Sequence, residues 1–74
     1  MELTKRELEV LTYVMQGIPS REVADILFLS KRTVDFHISN VYVKLDVKNR
    51  VQALHKANKL GLLADEATQT LYYR

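Results

Sequence analysis

Apolar positions recur three and four residues apart over most of the chain, in four blocks. In the first, Leu8, Leu11, Val14, Met15 and Ile18 trace one face of an α-helix. That block opens on Thr4-Lys5-Arg6-Glu7, where a Thr side chain and the Glu three residues on can each satisfy a free backbone N–H at the helix start. Gly17 ends it. The second block runs from about Ser20 to Leu27, with Val23, Ala24 and Leu27 on a shared face. Ala24 is small enough for another helix to cross it closely. Phe28-Leu29-Ser30 interrupt the pattern, and Ser30 can cap the third helix, about 31–45. A fourth helix is capped by Asn49 and ended by Gly61. The pattern predicts an all-α, four-helix domain over residues 1–63. Residues 64–74 follow as a short C-terminal extension, either a tail or a short extra helix. Two short helices joined by a three-residue turn form a helix-turn-helix. The Gly usual in that turn is missing, so Phe28 or Leu29 must take the tight conformation.

The third helix breaks the rule that a helix keeps large apolar groups off its solvent face. Val34, Ile38, Val41 and Leu45 fall together on a helical wheel, with His37 at the edge of the stripe. The opposite arc holds Arg32, Phe36, Ser39, Asn40 and Val43, with Asp35 at its border. A face that is partly apolar, partly hydrogen-bonding and ringed by Lys and Arg suits the major groove of DNA. Thymine methyls there need apolar partners, and base edges need donors or acceptors.

Charge supports the same direction. The net charge is only +2, but residues 21–59 carry eight basic side chains against four acids, while both ends lean acidic. A central basic stretch is the footprint of a polyanion binder. Size and composition exclude other classes. A chain of 74 residues hides about 60% of its unfolded surface, enough for one modest core. Cysteine is absent, which excludes disulfides and thiolate metal sites, so efficient helix packing or self-association must stabilise the fold. The longest strictly apolar run, Ile26 to Leu29, is too short for a membrane span or a signal-peptide core, and a cytoplasmic protein is expected. No Gly-rich phosphate loop, metal triad or carboxylate pair beside a nucleophile is present, so neither enzyme chemistry nor a cofactor is expected. His55 has no second ligand at metal spacing, and His37 reads as a structural, hydrogen-bonded residue against the core.

Several spaced motifs resemble the LuxR/FixJ-type (GerE-like) helix-turn-helix DNA-binding domain. They are Leu3 to Leu11 (LTKRELEVL), Glu22-Val23-Ala24 with Leu27 and Ser30, Thr33-Val34 with His37, Asn40, Lys44-Leu45 and Val47, and Arg50, Ala53, Ala57 with Leu60-Gly61-Leu62. The resemblance spans residues 3–63. It implies a third helix that enters the major groove and a fourth that often makes a dimer contact. Three departures stand out. Pro19 replaces the usual Ser or Thr cap of the second helix, so Ser20 is expected to cap it one residue later. Asp46 stands where the family commonly has Gly, and Asp tolerates the left-handed conformation better than most residues. Asp35 and Ser39 occupy positions where members often carry Lys or another polar residue, so base preference does not transfer.

The expected function is a sequence-specific DNA-binding transcription regulator, stand-alone or the effector domain of a longer one. Asp35, Phe36, Ser39 and Asn40 are expected closest to base edges. Arg21, Lys31, Arg32, Thr33, Lys44, Lys48 and Arg50 are expected to anchor on phosphates, which sets register and affinity but not sequence. On the fourth helix, Arg50, Ala53, Leu54, Ala57 and Leu60 form an arc wide enough to cover the core. Val51, His55 and Asn58 then form an outward ridge for a weak homodimer, or a dimer completed on DNA. RNA polymerase is a further expected partner. Two alternatives remain at this point: region 4 of a sigma factor, and a protein-interaction module that has kept the fold and lost DNA binding.

Overall fold

The structure, a computed structural model, describes residues 2–62. The reading of 64–74 as a tail or short extra helix lies outside the described residues. Four helices follow in order: α1 (Lys5–Met15), α2 (Ser20–Leu27), α3 (Lys31–Leu45) and α4 (Arg50–Lys59). There is no strand among the described residues.

Caps fix the starts of three helices. At α1 the capping box forms in full: the Glu7 N–H donates to Thr4 Oγ1 at 3.1 Å, and the Thr4 N–H donates to Glu7 Oε1 at 2.9 Å. Ser30 Oγ accepts from the Thr33 N–H at α3, and Asn49 Oδ1 from the Gln52 N–H at α4. At α2 the expectation is corrected. Ser20 is the first helical residue and Pro19 holds the cap position, with φ −64° and no side-chain hydrogen bond. The pyrrolidine ring fixes φ at a value that suits the cap, so the chain turns into the helix one residue early.

All four helices stop in the same way. Gly17, Phe28, Asp46 and Gly61 have positive φ. In each case the next residue's N–H bonds a carbonyl five residues back: Ile18 to Tyr13, Leu29 to Ala24, Val47 to Tyr42, and Leu62 to Ala57. This arrangement satisfies carbonyls that a helix end leaves free. Phe28, not Leu29, takes the left-handed turn of the helix-turn-helix, at φ 58° and ψ 43°. Asp46 does the same after α3, at φ 58° and ψ 49°.

α3 is the spine of the core. Its first half packs Val34 with Val10 and Val14 of α1 and Val23 and Ala24 of α2. Its second half packs Val41 and Leu45 with Leu11 of α1 and Ala57 of α4. Two expectations shift here. The buried stripe of α1 is Glu7, Val10, Leu11 and Val14, whereas Leu8 is exposed. The stripe is rotated because the Thr4 capping box and Lys44 draw Glu7 inward. The α4 arc is also narrower than expected. Only Ala53 and Ala57 are buried, and Arg50, Leu54 and Leu60 are exposed. Two alanines bring α4 so close to the end of α3 that the larger side chains are left on its flanks.

Candidate nucleic-acid interface

With Val34, Val41 and Leu45 committed to the core, the opposite side of α3 has nothing to pack on. Phe36 is 63% exposed and Val43 79% exposed, and Arg32 and Ser39 are exposed with them. Asp35 and Asn40, both half-buried, lie at the margins. The four residues expected near base edges therefore sit on the solvent side of α3 or at its border. The Phe36 ring lies 6.1 Å from that of His37, tilted by 57°. His37 is half-buried, as a core-edge residue should be, but its ring makes no hydrogen bond among the described residues.

The seven side chains expected on phosphates divide into two groups. Arg21, Arg32 and Lys48 are exposed and make no ion pair among the described residues. The other four lie against other parts of the protein. Lys31 Nζ lies 2.7 Å from Asp35 Oδ2, one turn along α3. That ammonium, and after it the Ser20 hydroxyl, holds the Asp35 carboxyl below its ordinary range. Thr33 Oγ1 accepts from the Ser30 hydroxyl at 3.0 Å, within the cap. Lys44 Nζ donates to Glu7 Oε1 at 2.7 Å, so its charge ties α3 to α1 instead of pointing outward. The Arg50 guanidinium reaches back to α1: a Cβ on Gly17 would meet its Nη2 at 3.4 Å. α1 has no basic residue in its own last turn. The Arg50 guanidinium therefore lies near the carbonyl end of α1, where positive charge is favourable, without a hydrogen bond or ion pair among the described residues.

Glu7 is the residue that pattern reading missed as an interior group. It is a carboxylate only 4% exposed, held by Thr4 and Lys44. The Lys44 bond first and the Thr4 N–H second keep its carboxyl below the usual value, against burial that pushes the other way. A signal was available: Glu7 precedes Val10, Leu11 and Val14 at helical spacing on the buried face.

On α4, Val51, His55 and Asn58 are exposed as one outward ridge. Beside them runs a shallow groove lined by Val47, Val51, Gln52, His55 and Lys56. Among the described residues there is no group of three potential metal ligands, and no helix is long and apolar enough to cross a membrane.

The sequence profile of the bacterial regulatory proteins of the luxR family matches residues 1–57. The chain belongs to this family. Among its luxR-family relatives, the transcriptional activator protein SolR of Ralstonia nicotianae is 48% identical over 61 residues, which are 82% of this chain and 26% of SolR. The spore germination protein GerE of Bacillus subtilis is 46% identical over 61 residues, covering 82% of each chain. The solved structure of the transcription factor GerE superposes with a TM-score of 0.78 at 35% identity, covering 84% of this chain and 92% of that one. The chain therefore has the GerE-type helix-turn-helix fold. It spans about a quarter of the length of SolR and most of the length of GerE.

Proposed function

We propose that this chain binds double-stranded DNA sequence-specifically and regulates transcription without catalysing a reaction. In this reading α3 enters the major groove. Asp35, Phe36, Ser39 and Asn40 read base edges, and Arg21, Arg32 and Lys48 anchor on phosphates. The observation that carries it is the exposed Phe36, beside Ser39 and Arg32, on a helix whose other side is fully used by the core. An aromatic at that place has no packing role, and a thymine methyl is a fitting partner. The luxR-family match and the transcription-factor relatives support the same reading. Dimerisation through Val51, His55 and Asn58 would pair two such helices on half-sites about one DNA turn apart. The ridge is small, so the association is weak and is completed on DNA. The natural setting is the cytoplasm, with RNA polymerase as a further partner.

The test is the affinity for duplex DNA against salt. Each phosphate neutralised contributes about −0.9 to the slope of log K against log salt, so binding should fall steeply from about 50 to 200 mM. An affinity that does not change with salt contradicts the reading and favours a protein-interaction module, to which Phe28, 94% exposed, would also suit. For the dimer, Val51→Glu should keep single-half-site binding and abolish cooperativity on a paired site. Unchanged cooperativity removes α4 as the contact.

A further inference from the structure

An acid on a DNA-reading face is a liability, since the phosphates that flank the groove repel it. Asp35 is such an acid, and it is not left alone. Lys31 Nζ holds its Oδ2 at 2.7 Å, and the Ser20 hydroxyl at the start of α2 favours its ionised form. Both side chains of the ion pair remain about half exposed, 55% for Lys31 and 46% for Asp35, so the pair stays open to a ligand. An ionised carboxylate only accepts hydrogen bonds. With Oδ2 engaged, Oδ1 is the atom left to meet a base.

We propose that Asp35 and Lys31 act as a unit that selects a cytosine in the major groove. The proposal rests on the DNA-binding reading above. Major-groove donors are limited to cytosine N4 and adenine N6. Guanine presents two acceptors and thymine a carbonyl oxygen, and both repel a carboxylate. Adenine places its N7 acceptor beside N6, where it faces the same carboxylate. Cytosine N4 has a C–H neighbour on its own base and a single acceptor, the paired guanine O6, on the other side, whereas adenine N6 lies between two acceptors, so one free carboxylate oxygen fits cytosine best. Lys31 neutralises the acid as it approaches the phosphates and fixes its rotamer. The same bond withholds Lys31 from the phosphates, which limits binding to sequences that lack the cytosine.

The unit makes two linked predictions for Asp35→Ala. At one base pair of the site, the wild type should prefer C·G by about tenfold over the other three pairs, and the variant should treat all four within about twofold. The variant also frees Lys31. Its affinity for unrelated duplex should rise, and its salt slope should steepen by about 0.9. Asp35→Asn supplies a second check, because an amide pairs with adenine N6 and N7 and should move the preference from C to A.

The experiment enriches binding sequences from a random duplex pool with wild-type protein. Affinities of wild type, Asp35→Ala and Asp35→Asn are then measured on duplexes carrying each of the four pairs at every enriched position. Loss of a cytosine preference in the first variant and its move to adenine in the second support the proposal. Identical preferences in all three proteins overturn it while leaving DNA binding intact. A wild-type pool with no enriched sequence overturns the DNA-binding reading itself, and this proposal with it.

Discussion

The two edges of α3 carry ion pairs of the same length and opposite character. On the inner edge, Lys44 meets Glu7 at 2.7 Å, with the two side chains 35% and 5% exposed. The contact joins residues 37 apart in sequence and closes α1 onto α3. On the outer edge, Lys31 meets Asp35 at 2.7 Å within one helix, and both partners stay in water. Distance alone does not rank them. A solvated i,i+4 pair contributes about 0.3–0.5 kcal/mol. A carboxylate taken out of water cannot lose its partner without leaving an uncompensated interior charge. The inner edge serves the fold, and the outer edge stays in water.

The widest separation between the edges should come from their apolar side chains. Leu45→Ala, at a position 1% exposed, should lower stability by about 3 kcal/mol in urea unfolding. Phe36→Ala should lower it by less than about 0.5 kcal/mol while changing DNA preference. A large stability loss at Phe36 would place it in the core and erase the contrast.

The ion pairs should separate next. Glu7→Ala removes a capping box and strands a half-buried ammonium, and we expect a loss of about 2 kcal/mol, or roughly 10 °C in Tm. Lys31→Ala should cost less than about 0.5 kcal/mol. Equal losses would mean that burial does not distinguish the pairs.

Acid sharpens the same point. The Glu7 carboxyl is held below its ordinary value of 4.5 in the fold. Its contribution is therefore fully present above that pH and is lost as pH falls through the lower folded value. Urea midpoints should stay level down to about pH 5 and then drop. The drop should be shallower in Glu7→Gln, whereas an unchanged acid limb in that variant would exclude Glu7 as a source of it.

One effect has the opposite sign. Phe28 holds a left-handed conformation with its ring 94% exposed, so Phe28→Gly relieves strain and gives up little burial. Part of the gain is offset by the greater freedom of Gly in the unfolded chain. The expected rise is about 0.5–1 kcal/mol. A fall in stability would show that the ring has a packing role.

Element boundaries were legible because caps and stops are local. Thr4 with Glu7, Ser30 and Asn49 name the starts, and a three-residue break with no Gly demands one strained residue. The outward turn of Phe36 and Val43 was legible because a fifteen-residue helix fixes its faces by periodicity. Side-chain destinations were not. A wheel gives the direction in which Lys44 and Arg50 leave their helices, but both are long enough to reach another element, and their partners Glu7 and Gly17 lie far off in sequence. The narrow contact of α4 was hidden for a related reason. Periodicity shows which residues share a side, whereas the closeness allowed by Ala53 and Ala57 decides how many of them are covered. At Pro19, the ring's fixed φ took the place of a side-chain cap, which a search for capping residue types does not detect.

In the proposed function, the outer edge of α3 is the surface that meets DNA. Backbone amide chemical shifts, followed while a duplex enriched from a random pool is added, test it most directly. The largest changes are expected at Arg32, Asp35, Phe36, Ser39 and Asn40, with Arg21 at the start of α2, and little change at Leu8 and Thr12 on the outer side of α1. Largest changes at Leu8 and Thr12, with the amides from Arg32 to Asn40 unmoved, would contradict it.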